Sequence, residues 1–182
     1  MNQTRVILGT ALGVLMFFGL FLWTSCDKSK TKYNATTTIR PCDNVICLNG
    51  ATCKDGLCYC PQGFEGDKCQ IKWSDKFVGS FQAKDACYTG TDVYYPVQIT
   101  ANPDYAYKIK LFNLGVFCPL STLDANITTE KTNLQIPLQK GCGNLYLSGT
   151  GSISGNFINV YLIARDTMAH TTQQCSIQLS RQ

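Results

Sequence analysis

Apolar and polar positions alternate with a period of two through much of the C-terminal part of the chain. Val93, Tyr95, Val97 and Ile99 interleave with Tyr94, Pro96 and Gln98, the pattern of a strand with one buried and one wetted face. The same alternation returns at Tyr107, Ile109 and Leu111, at Leu134, Ile136 and Leu138, at Val160, Leu162 and Ala164, and at Cys175, Ile177 and Leu179. No helical periodicity competes with it. Gly155-Asn156 reads as a hairpin turn and Asn102-Pro103-Asp104 as a second turn. Pro137 cannot donate to a sheet ladder, so its strand is predicted at an edge or a bulge. About eight or nine short strands predict a mostly β fold over residues 73–182, either an antiparallel sandwich or a small barrel around one core. The pattern alone does not choose between them.

The first residues have a different texture. After Arg5, Val6 to Trp23 form eighteen uncharged, largely apolar residues, the layout of a signal peptide. Thr24-Ser25-Cys26 places small residues directly before a cysteine and resembles the lipobox of bacterial lipoproteins, with Trp23 where that motif usually has Leu. The resemblance implies a signal peptide over residues 1–25 and lipid attachment at Cys26. Each buried acyl methylene would contribute about 0.8 kcal/mol to anchoring. An uncleaved signal anchor is the competing expectation, since the stretch reaches the lower limit for a hydrocarbon core of roughly 30 Å. Residues 26–41 are rich in Ser, Thr and Lys and read as a flexible tether. On either reading the remainder is expected outside the cytoplasm.

Eleven cysteines in 182 residues sharpen that expectation, because such a density is stable where disulfides persist. Six lie between residues 42 and 69, four between 87 and 175, and Cys26 stands apart, which accounts for the odd number. The first six are Cys42, Cys47, Cys53, Cys58, Cys60 and Cys69. A segment this short cannot bury enough apolar surface to fold without covalent closure. Its spacing, with Asn49-Gly50, Gly56-Leu57-Cys58 and Pro61-Gln62-Gly63-Phe64-Glu65-Gly66, resembles an EGF-like module of the compact tenascin type. That resemblance implies Cys42 with Cys53, Cys47 with Cys58, and Cys60 with Cys69, a choice that spacing alone leaves open. Phe64 is expected to cover the last of these bridges. Zinc is disfavoured because no C-x-x-C pair occurs. Calcium is disfavoured because Thr38-Ile39-Arg40-Pro41 offers no acidic ligand set before the first cysteine. No metal or cofactor is expected. The four later cysteines permit several pairings; in a closed meander the first and last strands are neighbours, which favours Cys87 with Cys175 and Cys118 with Cys142.

Gly79-Ser80-Phe81 resembles the opening of lipocalin-like barrels, and the series of lipobox, tether, EGF-like module and β region resembles surface lipoproteins of Bacteroidota. That resemblance implies lipid anchoring at the outer membrane, facing outward. The run from Ser148 to Gly155 repeats glycine beside hydroxyls but lies between strands, not before a helix, so it reads as strand and hairpin instead of a phosphate loop. His170 is the only histidine, and with the cysteines taken up in bridges it has no thiol partner; Asp166 is its nearest acid. The acids of the β region fall mostly at strand ends and turns. Tyrosines are frequent, and Tyr94 and Tyr105, with Phe64, are candidates for a recognition surface. Asp166-Thr167-Met168 resembles an O-glycosylation motif, with Thr167 the acceptor. Asn34-Ala35-Thr36 and Asn126-Ile127-Thr128 fit N-glycosylation, which matters in a eukaryotic host. A net charge of +4 is too dispersed for a nucleic-acid partner. The expected function is a non-enzymatic binding or adhesion lipoprotein. Its partners would be the membrane and an extracellular protein or glycan. A small-ligand carrier is the alternative, and a surface hydrolase comes third. Oligomeric state is left open.

Overall fold

Short extended segments held by cysteines come first in the chain, and the period-two segments follow as strands. The computed structural model describes residues 41–85, 87 and 90–182. The leader, Cys26 and the tether as far as residue 40 lie outside the described residues. Four short strands, β1 (Thr52–Lys54), β2 (Leu57–Tyr59), β3 (Phe64–Glu65) and β4 (Ile71–Lys72), form two small antiparallel hairpins, β1 with β2 and β3 with β4. A 3₁₀ turn, Trp73–Lys76, leads into eight longer strands: β5 (Gly79–Asp85), β6 (Val93–Ala101), β7 (Lys108–Phe112), β8 (Thr122–Ile127), β9 (Asn133–Lys140), β10 (Leu145–Ser154), β11 (Phe157–Asp166) and β12 (Thr171–Arg181).

These eight strands form a closed antiparallel barrel, each pairing with its neighbour in sequence. Closure is made by β12 against β5, from Arg181↔Phe81 to Ile177↔Asp85. The sandwich alternative is thereby set aside. Eight strands enclose a space just wide enough for side chains, and the inward positions fill it. Phe81, Ile99, Ile109, Leu111, Leu123, Leu162 and their neighbours are fully or almost fully buried. No water-sized void adjoins side chains with so little free surface. The outward positions mix polar residues such as Lys110, Gln135 and Gln178 with exposed rings such as Tyr94, Phe112 and Tyr161.

Both ends are plugged. At the lower end Trp73, Phe77 and Phe81 close the core. There the Arg181 guanidinium stacks 4.8 Å from the Phe81 ring and donates to the Val78 and Lys76 carbonyls at 2.7 and 2.8 Å. At the upper end the loop between β7 and β8 folds inward, burying Leu114 and Cys118 completely.

Pro137 sits at a bulge, the second of the two options its chemistry allows. Ile136 pairs with Gly149 but Gln139 pairs with Leu147, so β9 carries one extra residue. The insertion reverses the facing of the residues beyond it. Leu138, expected on the buried face with Leu134 and Ile136, is instead 58% exposed. The neighbouring seam between β8 and β9 has only two paired positions, Asn126↔Gln135 and Ile127↔Leu134. Past them the Gln139 side-chain amide acts as a substitute peptide, accepting from Asp124 N–H at 2.9 Å and donating to Asp124 C=O at 2.8 Å.

The cysteine-rich segment and the barrel belong to one compact unit and are stitched by backbone bonds. Trp73 N–H donates to Gly63 C=O at 2.8 Å and Ser74 N–H to Ala106 C=O at 3.1 Å. The Trp73 indole donates to Phe64 C=O at 3.2 Å. Gly63 has φ +95°, and a Cβ there would lie 2.8 Å from the Tyr107 nitrogen, so glycine alone permits this approach. Glu65 completes the seam, bound by Lys76 at 2.8 Å and by Lys131 at 3.2 Å. Both cations hold its carboxyl below the ordinary carboxylate value, the hydrogen bond from Lys76 being the largest cause.

Candidate functional site

Three bridges shape the N-terminal segment: Cys42–Cys53, Cys47–Cys58 and Cys60–Cys69. Among residues 42–69 only Gly63 and Cys69 are buried, and Ile46, Leu48, Leu57 and Tyr59 are exposed. Leu57 and Tyr59 share the outer face of the β1–β2 hairpin with their partners Lys54 and Thr52. The segment presents a surface of exposed side chains.

The remaining bridges, Cys87–Cys175 and Cys118–Cys142, both lie at the upper rim of the barrel. Beside the first, Asp85 is 1% exposed on the last inward position of β5. Its Oδ1 accepts from Cys87 N–H at 2.9 Å and its Oδ2 from the Tyr95 hydroxyl at 2.8 Å. Gly115 N–H in turn donates to the Tyr95 oxygen at 3.1 Å. The network pins the inward-folded loop to β5 and β6 and satisfies a carboxylate that burial would otherwise make costly. Burial, followed by the bond to Asp85, pushes the Tyr95 hydroxyl well above the ordinary phenol value. Asp85, Cys87 and Cys175 stand close enough for a metal ion. With both sulfurs in a disulfide, however, only a carboxylate that already has two donors is left to coordinate.

The sequence candidates do not converge. Tyr94, 60% exposed, lies at the start of β6, whereas Tyr105, 48% exposed, lies in the turn after the end of β6, so they occupy opposite ends of the barrel. Tyr105 packs edge-on to Tyr107 at 5.8 Å, and Lys108 Nζ sits 4.5 Å from its ring, beside the seam with the cysteine-rich segment. Phe64 is half-buried in β3, paired with Lys72. Thr167 is exposed on the hairpin between β11 and β12, its hydroxyl donating to Asn144 C=O at 3.1 Å. Asp166 in that hairpin accepts from Met168 and Ala169 N–H at 2.8 and 2.9 Å. Those two bonds, Ala169 first, hold its carboxyl below the usual range. Asp166 is thus occupied in shaping a turn. The glycine-rich run from Ser148 to Gly155 is β10 and its hairpin, with no helix following.

Reading along the chain misses a groove on the outer wall of β9 to β12, with a volume of about 620 Å³. One row across this wall runs Gln135, Thr150, Tyr161 and Ser176, each paired with the next. A second runs Asn133, Ser152, Asn159 and Gln178. Behind both rows, Gly149 and Gly151 occupy the inward positions of β10. A Cβ on Gly149 would come 2.4 Å from the Tyr161 carbonyl and one on Gly151 3.1 Å from Leu134. The space that side chains would fill inside β10 is taken by its neighbours. The missing signal is register: these residues are separated in sequence, and only strand pairing aligns them.

No protein-family model matches the chain. Over 72 residues it is 31% identical to tissue-type plasminogen activator of Bos taurus, covering 36% of this chain and 12% of that protein. The similar part is a small fraction of that relative. Together with the three bridges, this similarity fits an EGF-like module.

Proposed function

We propose that the chain is a non-enzymatic binding or adhesion module of an exported lipoprotein, lipid-anchored through Cys26 at the outer surface of a bacterial outer membrane of the Bacteroidota type. The observation that supports it most is the filled barrel. An interior packed with its own side chains and plugged at both ends leaves the outer wall and rims for recognition. Disulfides throughout the described cysteines suit an oxidising, extracytoplasmic setting. The partner on this reading is an extracellular protein or glycan, with no cofactor and no nucleic acid.

Anchoring is tested by intact mass of the chain after expression in a bacterial host with an outer membrane. A mature N-terminus at Cys26 with acyl adducts, lost in Cys26→Ser, is expected; a retained leader or an unmodified Cys26 overturns it. The binding role is tested by exposing the purified protein to extracellular proteins and glycan arrays. Hydrolysis of a substrate without stable binding would overturn that role.

A small-ligand carrier is favoured by one observation. A pocket of about 290 Å³ at the upper mouth is lined by Phe117, Leu145, Ala164, Asp166, Thr171 and Gln173. Saturable binding of an apolar dye, abolished by Ala164→Trp in a folded protein, would support that reading.

A further inference from the structure

We infer that the groove on the outer wall of β9 to β12 is a binding site for a neutral oligosaccharide. The inference rests on the binding-module reading and assigns it a site and a ligand chemistry.

The groove lining carries the argument. Its two rows present carboxamides from Gln135, Asn133 and Asn159 and hydroxyls from Thr150, Ser152 and Ser176. Both groups donate and accept, which is what a ligand built of hydroxyls requires. Among the described lining residues Glu130 alone is charged, and it stands at the rim. The Thr128 hydroxyl donates to its carboxylate. A nucleic acid or sulfated chain would need Lys or Arg here, and the rim carboxylate repels it. An amphipathic helix would need a continuous apolar trough, whereas here Leu134, Val160 and Tyr161 are interspersed with carboxamides and hydroxyls. An extended peptide adds to an open sheet edge, and along the groove β9 to β12 are paired with one another. A polyhydroxyl ligand without charge matches what remains.

Tyr161 supplies the second element of such a site. The residue is 44% exposed within the first row, and its hydroxyl donates to Gln174 Oε1, which fixes the side chain. A held aromatic ring offers an apolar plane against which the C–H face of a sugar packs while neighbouring amides take its hydroxyls. The Gln178 amide, donating to Asn159 Oδ1 at 3.3 Å, steadies the second row in the same way. Two rows two residues apart, across four strands, give a footprint of about 7 Å by about 14 Å. That footprint suits several linked sugar units.

The test titrates the ¹⁵N-labelled purified chain with maltohexaose, cellohexaose and mannohexaose, and with a heparin hexasaccharide as the charged control. Amide shifts confined to residues 133–135, 150–152, 159–161 and 174–178 on adding a neutral sugar are expected. Tyr161→Ala should weaken binding about tenfold or more, Gln135→Ala by less, and Lys110→Ala, exposed on β7, should leave it unchanged. The amide spectrum of each variant checks its fold. No response to any neutral sugar, preference for the heparin fragment, or binding untouched by both Tyr161→Ala and Gln135→Ala overturns the inference. A protein partner bound equally well by the Tyr161→Ala variant would remove this site while sparing the binding-module reading. Catalytic turnover with no stable binding would remove both.

Discussion

The cysteine-rich segment and the barrel reach a defined structure by opposite routes. Within residues 42–69 three bridges tie a stretch in which only Gly63 and Cys69 are buried. Within the barrel the inward face of every strand feeds one apolar cluster, and its two bridges stand at the rim. Covalent closure acts chiefly by restricting the unfolded chain, and it acts locally. Burial of a shared core is collective. Damage to one part should therefore be separable from damage to the other, although backbone bonds join them.

The largest separation should come from the core. Phe81→Ala is expected to destabilise the barrel by about 3 to 5 kcal/mol, measured by denaturant unfolding, while the three N-terminal bridges remain intact by mass. Replacing Cys60 and Cys69 together by Ser should cost about 2 to 4 kcal/mol. Hydrogen exchange should show that loss in residues 42–69 with barrel amides still protected; uniform loss across the barrel would contradict the division.

A smaller effect tests the upper rim, where a polar network and not apolar burial holds a loop. Tyr95→Phe removes the donor to Asp85 and the acceptor for Gly115 N–H, at a cost of about 1 to 3 kcal/mol. Because the Tyr95 hydroxyl is raised in the folded state, its contribution is fully present below the ordinary phenol value of 10.0 and is lost as pH rises beyond it. The variant should show a shallower alkaline fall in melting temperature than the parent.

The smallest effect lies in the seam. The Glu65 carboxyl is depressed, so its contribution is present above the ordinary value of 4.5 and is lost as pH falls through the lowered folded value. For a partly exposed pair this amounts to roughly 0.5 kcal/mol. Faster exchange around Trp73 in Glu65→Gln at neutral pH, matching the parent in acid, would confirm it.

Much of this architecture is legible residue by residue. Ile109 and Leu111, or Val160 and Leu162, mark inward positions because side-chain direction in a strand depends only on parity. The cysteine spacing identifies a segment that must be closed covalently. Pro137 announces an irregularity because it lacks an N–H. Leu138 shows the limit: whether a proline sits at an edge or a bulge depends on whether the sheet closes, and the bulge alone turned that leucine outward. Tyr94 and Tyr105 show another, since two exposed rings in adjacent elements lie at opposite ends of the wall.

By itself the amino-acid sequence determined that the chain has a cysteine-tied segment followed by alternating strands, because composition and parity are local properties. Only the tertiary structure decided that β12 returns to β5, that both ends are plugged, and that Gln135, Thr150, Tyr161 and Ser176 stand in one row. Those facts depend on which residues oppose one another across strands. That register is set by closure of the whole sheet, which no single segment encodes.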